Sequence, residues 1–186
     1  MRGLGFKTQR GTVFSRIYGT HVRKVHLQLV SRRKSPAVDL HLCIGFEQLR
    51  AWDALWTNRP VDEVATCHLS DSIGHLTPPF QFRILDVEDI ESFSDTCIAE
   101  IRDTAMPWFE RYGSLEAAIE CWEGRLPYGT LNARIYAPLG RLCLGDVLGA
   151  ELSARQFMSD LIAIGADSDS VAEQQGLVRF VGSPHS

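Results

Sequence analysis

Four side chains able to bind ligands or transfer protons fall on two neighbouring segments of the chain. In "KVHLQLV" and "VDLHLCIGF" polar and apolar residues alternate, which is the pattern of β-strands with one buried face. If Val30 pairs with Ala37 in a hairpin, the other face presents His26, Gln28, Asp39 and His41. Imidazole titrates near neutral pH, and imidazole and carboxylate groups both ligate zinc or nickel. The face could therefore hold a general base or half of a metal site.

Three interpretations of this face stay open, namely catalysis, ligand binding and a hydrated sheet surface. No further protein ligand is placed beside the four side chains, so we predict no metal site and no cofactor. The connection "SRRKSP" between the two strands is strongly basic. We therefore add its Arg32, Arg33 and Lys34 to the candidate ligand-binding residues.

A second chemical candidate is the segment "CHLSDSIGH", which offers a nucleophile, bases and an acid within nine residues. Adjacent residues of a strand point to opposite faces, so Cys67 and His68 cannot readily act on each other. A buried structural thiol is the favoured interpretation of Cys67. The sequence also contains no phosphate-binding glycine loop, four-ligand zinc spacing, helical His-Glu metalloprotease motif or nucleophile elbow. We lean towards a protein that is not an enzyme.

Composition indicates an ordinary globular chain. It has 186 residues, of which 45% are hydrophobic and 23% charged, enough for a core without metals or disulfides. The five cysteines are odd in number and widely spaced, which favours reduced, buried thiols. Because no signal-peptide core or membrane-spanning run is present, we expect a cytoplasmic protein that does not engage a membrane.

Charge is distributed unevenly along the chain. Residues 1–38 contain nine Lys or Arg and no acid, although the net charge is -4. Such a region attracts phosphates or an acidic partner, or it lies against the acidic helices of the same chain. A surface that stacks nucleic-acid bases combines several exposed aromatic residues with Lys or Arg. Here only Tyr18 accompanies Arg16, Arg23 and Lys24, so nucleic acid is not favoured as a partner.

The first half of the chain predicts an antiparallel meander of about five strands. Two strands in "TVFSRIYGTHVRKVHLQLV" meet at a turn at Gly19-Thr20, and a third follows the six-residue connection at residues 31–36. The segments "VATCHLS" and "FQFRIL" supply the last two strands. Between them and the third strand, "EQLRAWDALW" has helical spacing.

The second half predicts helices. From Asp86, a possible N-cap, apolar residues recur every three or four positions, and Pro107 must end or kink that helix. Ser114 caps "LEAAIECWE", two helices break around Gly145 to Gly149, and "SVAEQQG" is a weaker helix. The expected fold is α+β, with helices packed on one face of the sheet. We divide it into residues 1–125, a sheet-and-helix domain, and residues 126–186, a C-terminal helical extension packed on that domain.

Several blocks of the sequence resemble a known bacterial family. They are "GFKTQRGTVFSR", "VHLQLVS", "VDLHLCIGF", "CHLSDSIGHL" and "MPWFERYGSLEAAI", spanning about residues 3–123. The family is a domain of unknown function, number four-three-zero-four, and the resemblance implies an α+β domain without implying an activity. The sequence departs from it at Leu29, Ser70 and Ser72, where the family has basic residues, and in lacking a helix before the "GF" block. An uncovered sheet would favour a dimer or a partner protein.

These observations together predict a non-enzymatic binding or interaction protein of an accessory or immunity type. A protein partner or self-association is expected, through the polar face and its basic loop. The alternative is an enzyme, or a binder of a small anionic ligand, in which Asp39 orients His26 or His41.

Overall fold

The computed structural model describes the backbone of residues 1–10, 12–32, 35–76, 90–124 and 131–183. Within these ranges the side chains of residues 10, 28–32, 35–39, 74–75, 90–93 and 131–132 are not described. Contacts divide the chain into two compact units, Met1–Gly45 with Leu69–Gly113 and Phe46–His68 with Ser114–Ser186. The predicted division after residue 125 follows chain order and stays a prediction.

The strands form one antiparallel sheet in sequence order, β1-β2-β3-β4-β5. Their bounds are β1 Lys7–Arg10, β2 Val13–Tyr18, β3 His21–Arg32, β4 Ser35–Phe46 and β5 Leu69–Ser72. Together with the helices that follow, this sheet confirms the predicted α+β class and antiparallel meander.

The strands differ from the prediction at three places. β1 is an additional strand, β5 begins only at Leu69, and β3 and β4 extend into the predicted connection at residues 31–36. Strand pairing supplies backbone hydrogen bonds that override a local preference for loop, which explains the longer β3 and β4. The predicted strand "FQFRIL" lies outside the described residues.

The turn between β2 and β3 follows the prediction. Gly19 has a φ of 58°, a conformation that glycine adopts without steric cost. The connection has two residues, because Tyr18 pairs with His21. In this register Arg16 lies directly opposite Arg23, on the same face of the sheet.

The helices begin with one short 3-10 turn at Arg2–Leu4 and follow the strands in groups. They are α1 Glu47–Thr57, α2 Ile73–Leu76, α3 Ile90–Glu100, α4 Met106–Arg111, α5 Leu115–Glu123, α6 Leu131–Cys143, α7 Val147–Ala163 and α8 Ser168–Val181. None of the helices in the described ranges combines the length and apolar character needed to cross a bilayer.

Local signals set several helix ends. Ser114 Oγ accepts the Ala117 N–H at 3.1 Å, as predicted for the start of α5, and Asp146 caps α7 through Gly149 N–H at 2.9 Å. A π-helical turn, Ile101–Ala105, separates α3 from α4 and ends two residues before Pro107, where a kink or end was predicted. The predicted N-cap Asp86 lies outside the described residues.

Each unit has its own apolar core. In the first unit, the alternating residues of β3 and β4 point inward as predicted, with Val25, Leu40, Leu42 and Ile44 fully buried. α4 contributes Phe109, whose ring lies 6.3 Å from that of Phe6. In the second unit, Trp122 packs edge-on to Phe46 at 6.4 Å.

The prediction of reduced cysteines is wrong at two positions. Cys43 and Cys67 are disulfide-bonded and half-buried, whereas Cys97, Cys121 and Cys143 are free thiols. Cys43 lies in β4 and Cys67 two residues before β5, and these strands pair only in the folded chain. The spacing of the cysteines in the sequence contains no trace of that pairing.

We expect the denatured, unreduced protein to react as a three-thiol protein and the reduced protein as a five-thiol protein. Burial raises the pKa of Cys97 to about 11, so this thiol should react slowly until the chain unfolds. Titration with an aromatic disulfide reagent in denaturant measures both counts. The C97S variant should lose one thiol from each count. Five reactive thiols before reduction would contradict the disulfide.

Candidate functional site

The predicted histidines lie on adjacent strands of the sheet. His26 of β3 pairs with Val13 of β2, and His41 of β4 pairs with Ser72 of β5. Both side chains are half-buried, on the face opposite the buried residues Val25 and Leu42. Both histidines therefore lie on the predicted polar face. Their direct pairing with each other stays a prediction.

The other predicted site residues are placed less completely. Gln28 and Arg32 belong to β3 and Asp39 to β4, so their backbones lie in the same pair of strands. Their side chains are outside the described part of the structure. Arg33 and Lys34 lie wholly outside the described residues.

A different group of side chains meets on the opposite face, near the β2–β3 turn. We call Arg16, Tyr18, His21 and Arg23 the arginine cluster. The Arg23 guanidinium carbon lies 4.2 Å from the centroid of the Tyr18 ring and 5.8 Å from that of Phe109. The Arg16 guanidinium carbon lies 5.1 Å from the same tyrosine centroid. Two cations therefore share one aromatic ring.

Hydrogen bonds orient both arginines. Arg23 Nε donates to His21 Nε2 at 3.2 Å, and Arg16 Nη1 donates to the Leu4 carbonyl at 3.0 Å. Because His21 accepts through Nε2, its proton lies on Nδ1. Burial and the adjacent Arg23 charge lower the pKa of His21, so its imidazole is neutral at pH 7. The cluster then has two positive charges and a neutral histidine.

Arg23 is unusual because it is buried and pairs with none of the described carboxylates. It is only 4% exposed, and among the described residues no carboxylate forms an ion pair with it. Burial lowers the pKa of Arg23, with the charge of Glu110 acting in the opposite direction, yet a guanidinium stays protonated. Contact with an aromatic face contributes roughly 0.5–2 kcal/mol, whereas burying a charge costs several kcal/mol. The aromatic contacts do not offset that cost.

The sequence analysis named Arg16, Tyr18 and Arg23 together, but it did not single out His21 or predict how these side chains meet. Alternation places Arg23 on the same face as Val25, where an apolar residue is expected. The Gly19-Thr20 turn could have predicted this arrangement. A two-residue connection sets Tyr18 opposite His21 and Arg16 opposite Arg23.

A shallow cavity of about 530 Å³ lies at the N-terminal segment. It is lined by Arg2, Gly5, Phe6, Lys7 and Thr8. Gly5 has a φ of 80°, and a Cβ there would lie 3.1 Å from the Arg16 guanidinium. Because Gly5 has no side chain, the Arg16 guanidinium can lie beside the cavity. Arg16 adds to the positive charge of this region.

The polar groups inside the second unit have a structural role. Tyr136 Oη donates to the Asp53 carboxylate at 3.2 Å, and burial raises the pKa of Asp53. His68 is fully buried, and its Nδ1 accepts the Phe46 N–H at 2.9 Å. These bonds tie α6 to α1 and the end of β4 to the segment before β5.

Cys67 of "CHLSDSIGH" cannot act as a nucleophilic thiol, because it is disulfide-bonded. Among the residues whose placement is described, no three His, Cys, Asp or Glu side chains are grouped closely enough to hold a metal ion.

Comparison with known proteins gave no relatives. No protein-family model matches the chain, and it matches neither a curated protein nor a solved structure.

Proposed function

We propose that this protein is a non-enzymatic binding protein that presents the basic part of its sheet to a negatively charged partner. The observation that supports the proposal is the composition of three adjacent strands. β1, β2 and β3 contain six basic residues and no Asp or Glu; the basic residues are Lys7, Arg10, Arg16, Arg23, Lys24 and Arg32. Clustered positive charge accelerates and orients association with an acidic surface.

The competing interpretation is that the chain neutralises its own basic residues. Within the described part of the chain, Lys7, Arg16 and Arg23 form no ion pair, whereas arginines of the second unit do so repeatedly, as in Arg134–Glu173. Ion pairs inside the described part of the chain therefore do not neutralise these three cations. Lys7 is exposed and Arg16 half-buried, so these two can meet a partner, whereas Arg23 is buried.

Chromatography on a cation exchanger at pH 7 tests the proposal. A chain of net charge -4 should flow through unless its positive charges are concentrated, so we expect retention. The variant R32A/R33A/K34A should elute at lower salt. The control R111A/R155A/R179A changes the net charge equally at three exposed helix positions and should elute like the wild type.

Two outcomes would contradict this surface assignment. The wild type could flow through, or both triple variants could lose retention equally. The first outcome would mean that the basic strands are covered or neutralised. The second would mean that retention depends on total charge.

The alternative proposal is an enzyme, or a binder of a small anionic ligand, on the polar face. β3 ends at Arg32 and β4 begins at Ser35. Pairing in step from these ends would bring His26 opposite His41 and Gln28 opposite Asp39. Titration of the two imidazoles by NMR tests this pairing, because neighbouring imidazoles influence each other's protonation. Coupled titration curves would support the alternative, and independent curves would contradict it.

Three further expectations stay proposals. They are self-association, a role with an accessory or immunity-type partner, and membership of the bacterial family named above. Light scattering during size-exclusion chromatography tests self-association. A cytoplasmic location also stays a proposal, and the disulfide-bonded Cys43 and Cys67 weigh against a reducing compartment.

A further inference from the structure

The arginine cluster is a site without an assigned ligand. Arg23 is 96% removed from solvent, because its exposed fraction is 4%, and it forms no ion pair among the described residues. Only its Nε is engaged, in the bond to His21 Nε2. The terminal guanidinium nitrogens keep their N–H donors for another group.

Gly113 lies close to those donors. A Cβ at this position would lie 2.8 Å from the Phe109 carbonyl oxygen, 3.2 Å from Arg23 Nη2 and 3.4 Å from His21 Nε2. Any other residue would therefore crowd the end of the guanidinium. Glycine keeps that end free of a side chain from the segment between α4 and α5.

Charge identifies the class of acceptor. Arg16 and Arg23 provide two positive charges around the Tyr18 ring, and His21 is neutral. The charge of Glu110 acts on Arg23, but its side chain is exposed. A phosphate dianion matches two charges and offers several oxygens, so that it can accept the paired N–H groups of a guanidinium and reach a second cation. A carboxylate matches only one charge.

We propose that the arginine cluster binds a phosphate group, through Arg23 as the direct donor and Arg16 as the second cation. The site lies on the face of β3 opposite His26. Arg16 and Arg23 are also among the basic strand residues of the proposed function, so the inference shares them with that proposal. The variant R32A/R33A/K34A changes neither residue and therefore tests the proposed function separately. The Tyr18 ring contacts both guanidinium groups, and Gly113 adds no side chain over the end of Arg23.

Thermal unfolding and calorimetry with inorganic phosphate test this site. At about 100 times its dissociation constant, phosphate should raise the Tm of the wild type by roughly 5–10 °C over chloride of equal ionic strength. R23M should bind at least about tenfold more weakly, and R23K should also weaken binding because lysine lacks the planar fork. R102M, which removes an exposed arginine of the same unit, should bind like the wild type.

Further arms decide the ligand class and its source. Malonate should shift the Tm less than phosphate does, and an equal shift would overturn the phosphate assignment. Phenyl phosphate binding more tightly than inorganic phosphate would identify a phosphorylated molecule as the source, whereas the reverse order would identify the free ion. Either order supports the proposal.

The site is overturned if R23M and R23K, shown to be folded by circular dichroism, respond to phosphate like the wild type. Loss of phosphate binding in R23M with unchanged cation-exchange retention would support this site separately from the proposed function. Loss of retention in R32A/R33A/K34A with unchanged phosphate binding would support both surfaces independently.

Discussion

Replacement of Gly140 by leucine is expected to lower the free energy of unfolding by about 3 kcal/mol. Gly140 is buried in α6, where a Cβ would already lie 2.9 Å from Ile119 Cγ1 and 3.4 Å from Leu115 Cδ1. Both neighbours belong to α5 and are themselves buried. A leucine side chain has no room at this helix contact, and overpacking a core costs about 1–3 kcal/mol or more.

The expected loss is a net effect. Leucine favours a helix over glycine by about 0.8 kcal/mol, which offsets part of the steric cost. Urea denaturation measures the difference, because a lower midpoint with an unchanged slope reports stability alone. The control S159L adds a leucine to the exposed side of α7 and should stay within about 0.5 kcal/mol of the wild type. Equal stabilities of G140L and S159L would refute the close contact between α5 and α6.

Replacement of Arg141 by methionine should destabilise the protein by about 2–3 kcal/mol at pH 7. Arg141 Nε and Nη2 each donate to a Glu123 oxygen at 2.7 Å, and Nη1 donates to Asp146 at 2.6 Å. One side chain thus joins the ends of α5 and α6 to the N-cap of α7. Breaking a buried pair costs about 3–5 kcal/mol, which we reduce because Arg141 and Glu123 are nearly a third exposed.

The destabilisation should depend on pH. Burial alone would raise the pKa of Glu123, but the hydrogen bonds and the positive charge of Arg141 outweigh it and hold the pKa below its usual 4.5. A carboxyl group whose pKa is lower in the folded state stabilises above the unfolded pKa, and this stabilisation is lost as pH falls through the folded pKa. The difference between wild type and R141M should therefore be complete at pH 7 and shrink below about pH 4.

Urea titrations at several pH values measure this difference. R155M is the matched control, because it removes the Arg155–Glu151 pair within α7, where both side chains are more exposed than their counterparts in the Arg141–Glu123 pair. Such pairs contribute about 0.3–0.5 kcal/mol. A loss in R141M that equals the loss in R155M, or one that does not change with pH, would show that the three-helix junction does not depend on this arginine.

The candidate sites show how far sequence patterns reach. Alternation in β3 and β4 correctly separated buried Val25 and Leu42 from half-buried His26 and His41. The same alternation did not predict that Arg23 is buried. Its burial depends on Phe109 and Gly113, which lie far along the chain. The register of a hairpin can be deduced from its turn, but the layer that covers it cannot.

The disulfide illustrates the same limit in the core. Counting cysteines predicted reduced thiols, yet Cys43 and Cys67 are bonded. In the β4–β5 register Cys43 pairs with Ser70, three residues after Cys67, and that register joins segments separated by more than twenty residues of chain. Nothing within a few residues of either cysteine reports it.

The sequence by itself determined the α+β class, the meander, the turn at Gly19 and the cap at Ser114. These features arise from periodicity and from hydrogen bonds between residues that are neighbours in the chain. Only the tertiary structure decided three features. Arg23 is buried with no ion pair to a described residue, Gly140 lets α5 pack closely against α6, and Cys43 and Cys67 are oxidised. Burial and disulfide formation depend on which distant residues meet, and local patterns contain no information about those contacts.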